Sequence, residues 1–131
     1  MFKDTHAFFS FSVNDLAAAR EFYGTTLGLD VKDMSIGLSI TIAGGGSIFV
    51  YPKPDHTAAS FTIINFPVKD IDDAVDQLTA NGVTFEQYDG HMKTDEKGIA
   101  RSTGQDRGPS IAWFKDPAGN ILSVLTDMTA D

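Results

Sequence analysis

The sequence predicts an α+β protein built from two tandem copies of one strand–helix–strand unit. Three observations predict it. Residues 8–31 (FFSFSVNDLAAAREFYGTTLGLDV) lie over residues 63–85 (IINFPVKDIDDAVDQLTANGVTF), with Val13 over Val68, Asp15 over Asp70, Leu16 over Ile71, Ala19 over Ala74 and Gly28 near Gly82. In both copies an alternating apolar stretch gives way to apolar residues spaced by three and four, the change from strand to helix period. In both, a glycine then ends the helical stretch and a strand-like run follows. A unit of about 55 residues present only twice is longer than the usual solenoid repeats, so paired modules fit better than an array.

The elements follow in order. Over residues 6–13, Phe9, Phe11 and Val13 fall on one strand face, and Phe8, Ser10 and Ser12 on the other. Asn14 or Asp15 caps a helix whose Leu16, Ala19, Tyr23 and Leu27 face inward. Gly28 closes it. Strands are expected over 29–35, 37–43 and 47–51, with Gly44-Gly45-Gly46 as the turn between the last two. Pro52 and Pro54 interrupt regular structure, so residues 52–60 read as the linker between module 1 (about 5–51) and module 2 (61–127) of one domain spanning 1–131.

The second module repeats the plan. A strand over 61–68 precedes a helix capped by Asp70, with Ile71, Ala74, Val75 and Leu78 on one face. Asp70 and Asp73 place negative charge at its positive end. Asn81-Gly82 ends the helix, a strand is expected over 83–88, and residues 110–115 and 121–126 form a hairpin across DPAGN. Residues 91–108 show neither period. Their polar content (His91, Lys93, Asp95, Glu96, Arg101, Gln105, Asp106, Arg107) suits either a lid over a ligand or a solvated loop.

Composition narrows the classes. The chain has 131 residues, 42% of them hydrophobic, which is enough for one real core. The net charge of −8 argues against nucleic acid or an anionic membrane as partner. No apolar run approaches the roughly 20 residues of a membrane span. With no cysteine and no signal-like N-terminus, disulfides and thiolate chemistry are excluded and the cytoplasm is the expected location. No GxSxG occurs, and Gly44 to Gly46 lack the GK[ST] of a phosphate-binding loop. His6, His56 and His91 show no metal-type spacing.

Three stretches resemble the vicinal-oxygen-chelate superfamily, which includes glyoxalases, bleomycin and fosfomycin resistance proteins and extradiol dioxygenases. They are V-N-D-L-x-x-A-x-x-F-Y-x-x-x-L-G-L from Val13, V-K-D-I-x-x-A from Val68, and W-F-K-D-P-A-G-N-x-L from Trp113. The resemblance implies two βαβββ modules, a curved mixed sheet and a concave pocket. It also locates the family's metal ligands, and each position holds a residue unsuited to the task. Phe8 and Ile63 stand seven residues before Asp15 and Asp70, and Ser123 stands seven after Asp116. The strand around 48–51 reads Ile-Phe-Val-Tyr. Phe and Ile have no lone pair to donate, and a lone Ser hydroxyl is a weak ligand. A metal site and a cofactor are therefore not expected.

Alternation also gives the expected pocket lining. The ligand-binding set is Phe8, Ser10, Tyr51, Phe61, Ile63, Asn65, His91, Trp113 and Ser123. Apolar and aromatic walls with a few hydrogen-bonding groups are the usual character of a small-molecule site. The leading expectation is a metal-independent homodimer that binds a small, partly aromatic molecule in the cleft between modules, as drug-sequestering resistance proteins do. Two readings stay open beside it: a glyoxalase- or dioxygenase-like enzyme using unexpected ligands or none, and a structural domain whose cleft is filled. No catalytic residue is assigned.

Overall fold

A computed structural model describes residues 1–102 and 108–126. The chain divides into two compact units, Met1–Ala58 and Ala59–Asp131. The first contains β1 (Phe9–Val13), α1 (Leu16–Arg20), β2 (Asp30–Met34), β3 (Gly37–Thr41) and β4 (Ser47–Pro52). Its sheet runs in the order β1-β4-β3-β2, with β1 parallel to β4 and the other pairs antiparallel. The helix packs on one face of this sheet. Val13, Leu38, Ile40, Ile48 and Val50 are buried there with Ala19 and Tyr23. The Phe11 ring lies 5.6 Å from that of Tyr23. Phe9 shares the parity of Phe11 but starts the edge strand and stays exposed.

Asp15 is the cap, its carboxylate accepting from the Ala18 N–H at 3.1 Å. The helix departs from the expected 16–27 span in one respect. After Arg20 it widens into a π-helical turn, Glu21–Thr26, in which the Leu27 N–H reaches the Phe22 carbonyl at 2.9 Å. Gly24, Thr25 and Thr26 are weak helix formers, so the tighter ladder has little local support there. Tyr23 is fully buried all the same, and Gly28 ends the turn with φ of 74°.

The second unit contains β5 (Thr62–Val68), α2 (Ile71–Ala80), β6 (Ile99–Ala100), β7 (Ile111–Lys115) and β8 (Ile121–Thr126), ordered β5-β8-β7-β6. Strand β5 runs parallel to β8, and the long connection expected between parallel neighbours passes through α2, β6 and β7. Asp70 caps α2, accepting from the Asp73 N–H at 3.0 Å. Ile64, Val75, Phe85, Ile99, Phe114 and Leu122 form the core on the helix side. Together the two units give the α+β fold of tandem βαβββ modules that the resemblance implied.

One strand differs from expectation. Residues 83–88 contribute a single bridge, Phe85 to Phe114, with the Glu86 N–H donating to the Trp113 carbonyl at 2.8 Å. The same edge of β7 is completed by β6, where Ile99 pairs with Ala112 and Ala100 with Ile111. The edge strand is thus split, and residues 87–98 loop out between its halves. Alternation cannot show such a break, because β6 is too short to display a period. No helix among the described residues is long and apolar enough to cross a membrane.

Candidate functional site

Strand register decides which side chains share the sheet face away from each helix. In the first unit Ser10 lies opposite Phe49 and Ser12 opposite Tyr51, so these four share the open face. The Phe49 and Tyr51 rings stack at 6.0 Å and 16°. Ser12 Oγ lies 2.6 Å from His56 Nδ1, which brings a linker imidazole onto the open face. No local spacing reveals that pair, since the two residues are 44 apart. Phe8 precedes β1 and is 64% exposed.

In the second unit a bulge resets the alternation. Thr62 pairs with Ile121, but Ile64 pairs with Leu122, so Ile63 is the extra residue. Thr62 therefore shares the open face with Ile121, where unbroken alternation predicts Ile63. Beyond the bulge, Asn65, Ser123 and Trp113 stand in one row across three strands. Ser123 is fully buried and its Oγ donates to Asn65 Oδ1 at 2.6 Å.

Beside that row lies a crevice of about 140 Å³, lined by Ser60, Phe61, Thr62, Tyr88, Trp113 and Ile121. Tyr88 meets Trp113 edge to face, 5.5 Å apart at 69°. Tyr88 was not among the expected site residues, because its position depends on the looped-out segment. Its N–H donates to Thr94 Oγ1 at 2.9 Å, and the Thr94 N–H returns to the Tyr88 carbonyl at 3.0 Å. A larger groove of about 380 Å³ runs along α2, but Asp76, Glu96 and Lys97 rim it, and its apolar Val75, Val83 and Phe85 are already buried. The aromatic crevice suits a ring better.

The segment read as a lid or solvated loop is in part neither. Asp95 Oδ1 accepts from the N–H groups of Lys97 and Ile99, both at 2.9 Å. Arg101 grips Asp72 of α2 with two nitrogens at 2.7 Å each, and Lys97 reaches the same carboxylate at 2.9 Å and Asp76 at 3.0 Å. The Arg101 guanidinium, with the Lys97 ammonium, holds the Asp72 carboxyl well below the usual carboxylate range. These charges fasten β6 to α2. His91 is exposed in the short turn Gly90–Met92 and does not line the crevice. Residues 103–107, which include Gln105, Asp106 and Arg107, lie outside the described residues.

A metal centre of the kind found in the vicinal-oxygen-chelate superfamily does not fit these residues. The Ser123 hydroxyl is engaged with Asn65, and Phe8 and Ile63 offer only hydrocarbon. Among the described residues no group of three or more His, Asp or Glu side chains converges.

The family model for the glyoxalase/bleomycin resistance protein/dioxygenase superfamily matches residues 6–124. The chain belongs to this superfamily. Solved structures of superfamily type share its fold. A glyoxalase family protein from Enterococcus faecalis superposes with a TM-score of 0.66 at 19% identity, covering 95% of this chain and 99% of its own. TnmS3, an antibiotic binding protein from Streptomyces sp. CB03234, gives 0.66 at 23% identity, covering 97% and 98%. The fosfomycin resistance protein FosX from Listeria monocytogenes gives 0.66 at 15% identity, covering 92% and 90%. Identities this low carry the fold alone. None of the curated proteins matches this superfamily member.

Proposed function

We propose that this superfamily member binds a small, partly aromatic molecule without a metal, in the manner of a sequestering resistance protein. The observation that carries the reading is the crevice walled by Trp113, Tyr88 and Phe61, set beside a buried serine hydroxyl where the family places a metal ligand. Aromatic faces and edges at such a site offer stacking surface to a planar guest. A few hydroxyl and amide groups nearby supply orientation. The antibiotic-binding description of TnmS3 supports the choice of ligand class. The protein works as a homodimer, a reading supported by the exposed Phe8 and Phe9 at the outer edge of the first sheet.

Titration calorimetry against a panel of planar aromatic antibiotics and metabolites tests the proposal. At least one should bind, and Trp113→Ala or Phe61→Ala should weaken it about tenfold, the loss of roughly 1.4 kcal/mol of ring contact. Elemental analysis of protein purified without chelators should find no stoichiometric Ni, Zn, Fe or Mn. Stoichiometric metal, or affinities indifferent to both substitutions, would overturn it.

A further inference from the structure

Resting on the reading of the crevice as a site for an aromatic ligand, we infer that Asn65 sets its chemical preference. Asn65 presents an amide N–H donor, and the ligand it selects is a neutral aromatic ring bearing a carbonyl oxygen.

The orientation of Asn65 follows from Ser123. The serine is completely buried, and its hydroxyl bonds to Asn65 Oδ1 at 2.6 Å. A buried hydroxyl hydrogen left without an acceptor costs free energy, so Ser123 must donate here. Were the amide turned over, its nitrogen would face the serine, and that hydrogen would have no partner. Ser123 therefore holds the carbonyl side of Asn65 toward itself and turns the NH2 group away. Asn65 is exposed on the open face, so a ligand can reach that group.

The donor is also well placed. Asn65, Ser123 and Trp113 stand in one row, and the bulge makes Thr62, at the crevice wall, the next same-face residue along β5. Across the bulge Thr62 and Asn65 stand opposite Ile121 and Ser123, same-face neighbours on β8 about 6.6 Å apart. A ring in the crevice with a carbonyl substituent spans that interval with one hydrogen bond of about 2.9 Å. The crevice volume, about 140 Å³, is close to the roughly 150 Å³ cavity that takes a single benzene. One ring enters and its substituent points outward. None of the lining side chains is charged. With a net charge of −8, a neutral carbonyl is favoured over a carboxylate as acceptor.

Acetophenone and ethylbenzene, alike in shape and differing in the carbonyl, are the probes. Trp113 is the chain's one tryptophan, so its indole N–H resonance reports binding of either. Asn65→Ala should shift the ratio of the two affinities about fivefold toward ethylbenzene, the scale of one net hydrogen bond. Asn65→Asp, which replaces a donor with an acceptor, should shift it further the same way. If both probes bind and the ratio is unmoved, or moves toward acetophenone, the donor role is overturned and the crevice reading survives. If neither probe perturbs the Trp113 resonance in the native protein, the crevice reading falls and the inference with it.

Discussion

Gly98 shows how one residue can decide a local path. It adopts φ of 90°, and a Cβ built there would lie 2.7 Å from the Cβ of Phe85 and 3.2 Å from the Glu86 carbonyl oxygen. Only the missing side chain lets the two halves of the split edge strand approach. Gly82 has a similar φ of 95° but nothing within 4 Å of its would-be Cβ. The pair separates backbone strain from contact. Gly82→Ala should lose about 1–2 kcal/mol from the left-handed backbone alone. Gly98→Ala should lose about 2–4 kcal/mol, since overpacking adds to that strain. Urea denaturation of both variants checks the ordering, and equal losses would show that Phe85 yields freely.

At the scale of elements, the fastening of β6 to α2 is electrostatic. Strand β6 has two residues and lies at the sheet edge, so its ladder alone gives little hold. Arg101 and Lys97 converge on Asp72, and Arg101 also meets Asp95 at 3.0 Å. A carboxyl whose folded pKa is depressed stabilises the fold above its unfolded value and loses that contribution as pH falls through the folded one. Asp72→Asn should therefore be less stable than the native protein at pH 7. The gap should narrow as pH drops below the ordinary aspartate value of about 4. Urea midpoints at pH 7 and pH 3 measure it. A gap independent of pH would mean that Asp72 acts through packing. These side chains are well exposed, so added salt should also shrink the gap.

At the scale of the whole molecule, the exposed apolar residues have a consequence for association. Phe8 and Phe9 are 64% and 76% exposed at β1, the outer strand of the first sheet. An exposed edge strand carrying bulky apolar side chains invites pairing with another chain. Light scattering should find a species of twice the 14.1 kDa chain mass, and Phe9→Lys should shift it toward the monomer. A native protein that scatters as a monomer at micromolar concentration would refute the dimer.

The sequence by itself determined the two helix starts and the strands outside the split edge, because period, capping residues and glycine stops are local properties of a few neighbouring residues. Asp70 caps as its position indicated, Asp15 is the cap of the two candidates Asn14 and Asp15, and Val13, Ala19, Ile71 and Val75 are core as their spacing indicated. It also revealed that Phe8, Ile63 and Ser123 stand at the family's metal positions, since that needs only aligned motifs. Tertiary structure alone decided what pairing between distant strands controls. The bulge that puts Thr62 on the open face, the split edge that brings Tyr88 to Trp113, and the contact of His56 with Ser12 all depend on register across the sheet. Register is set by partners many residues away, and no local period records it.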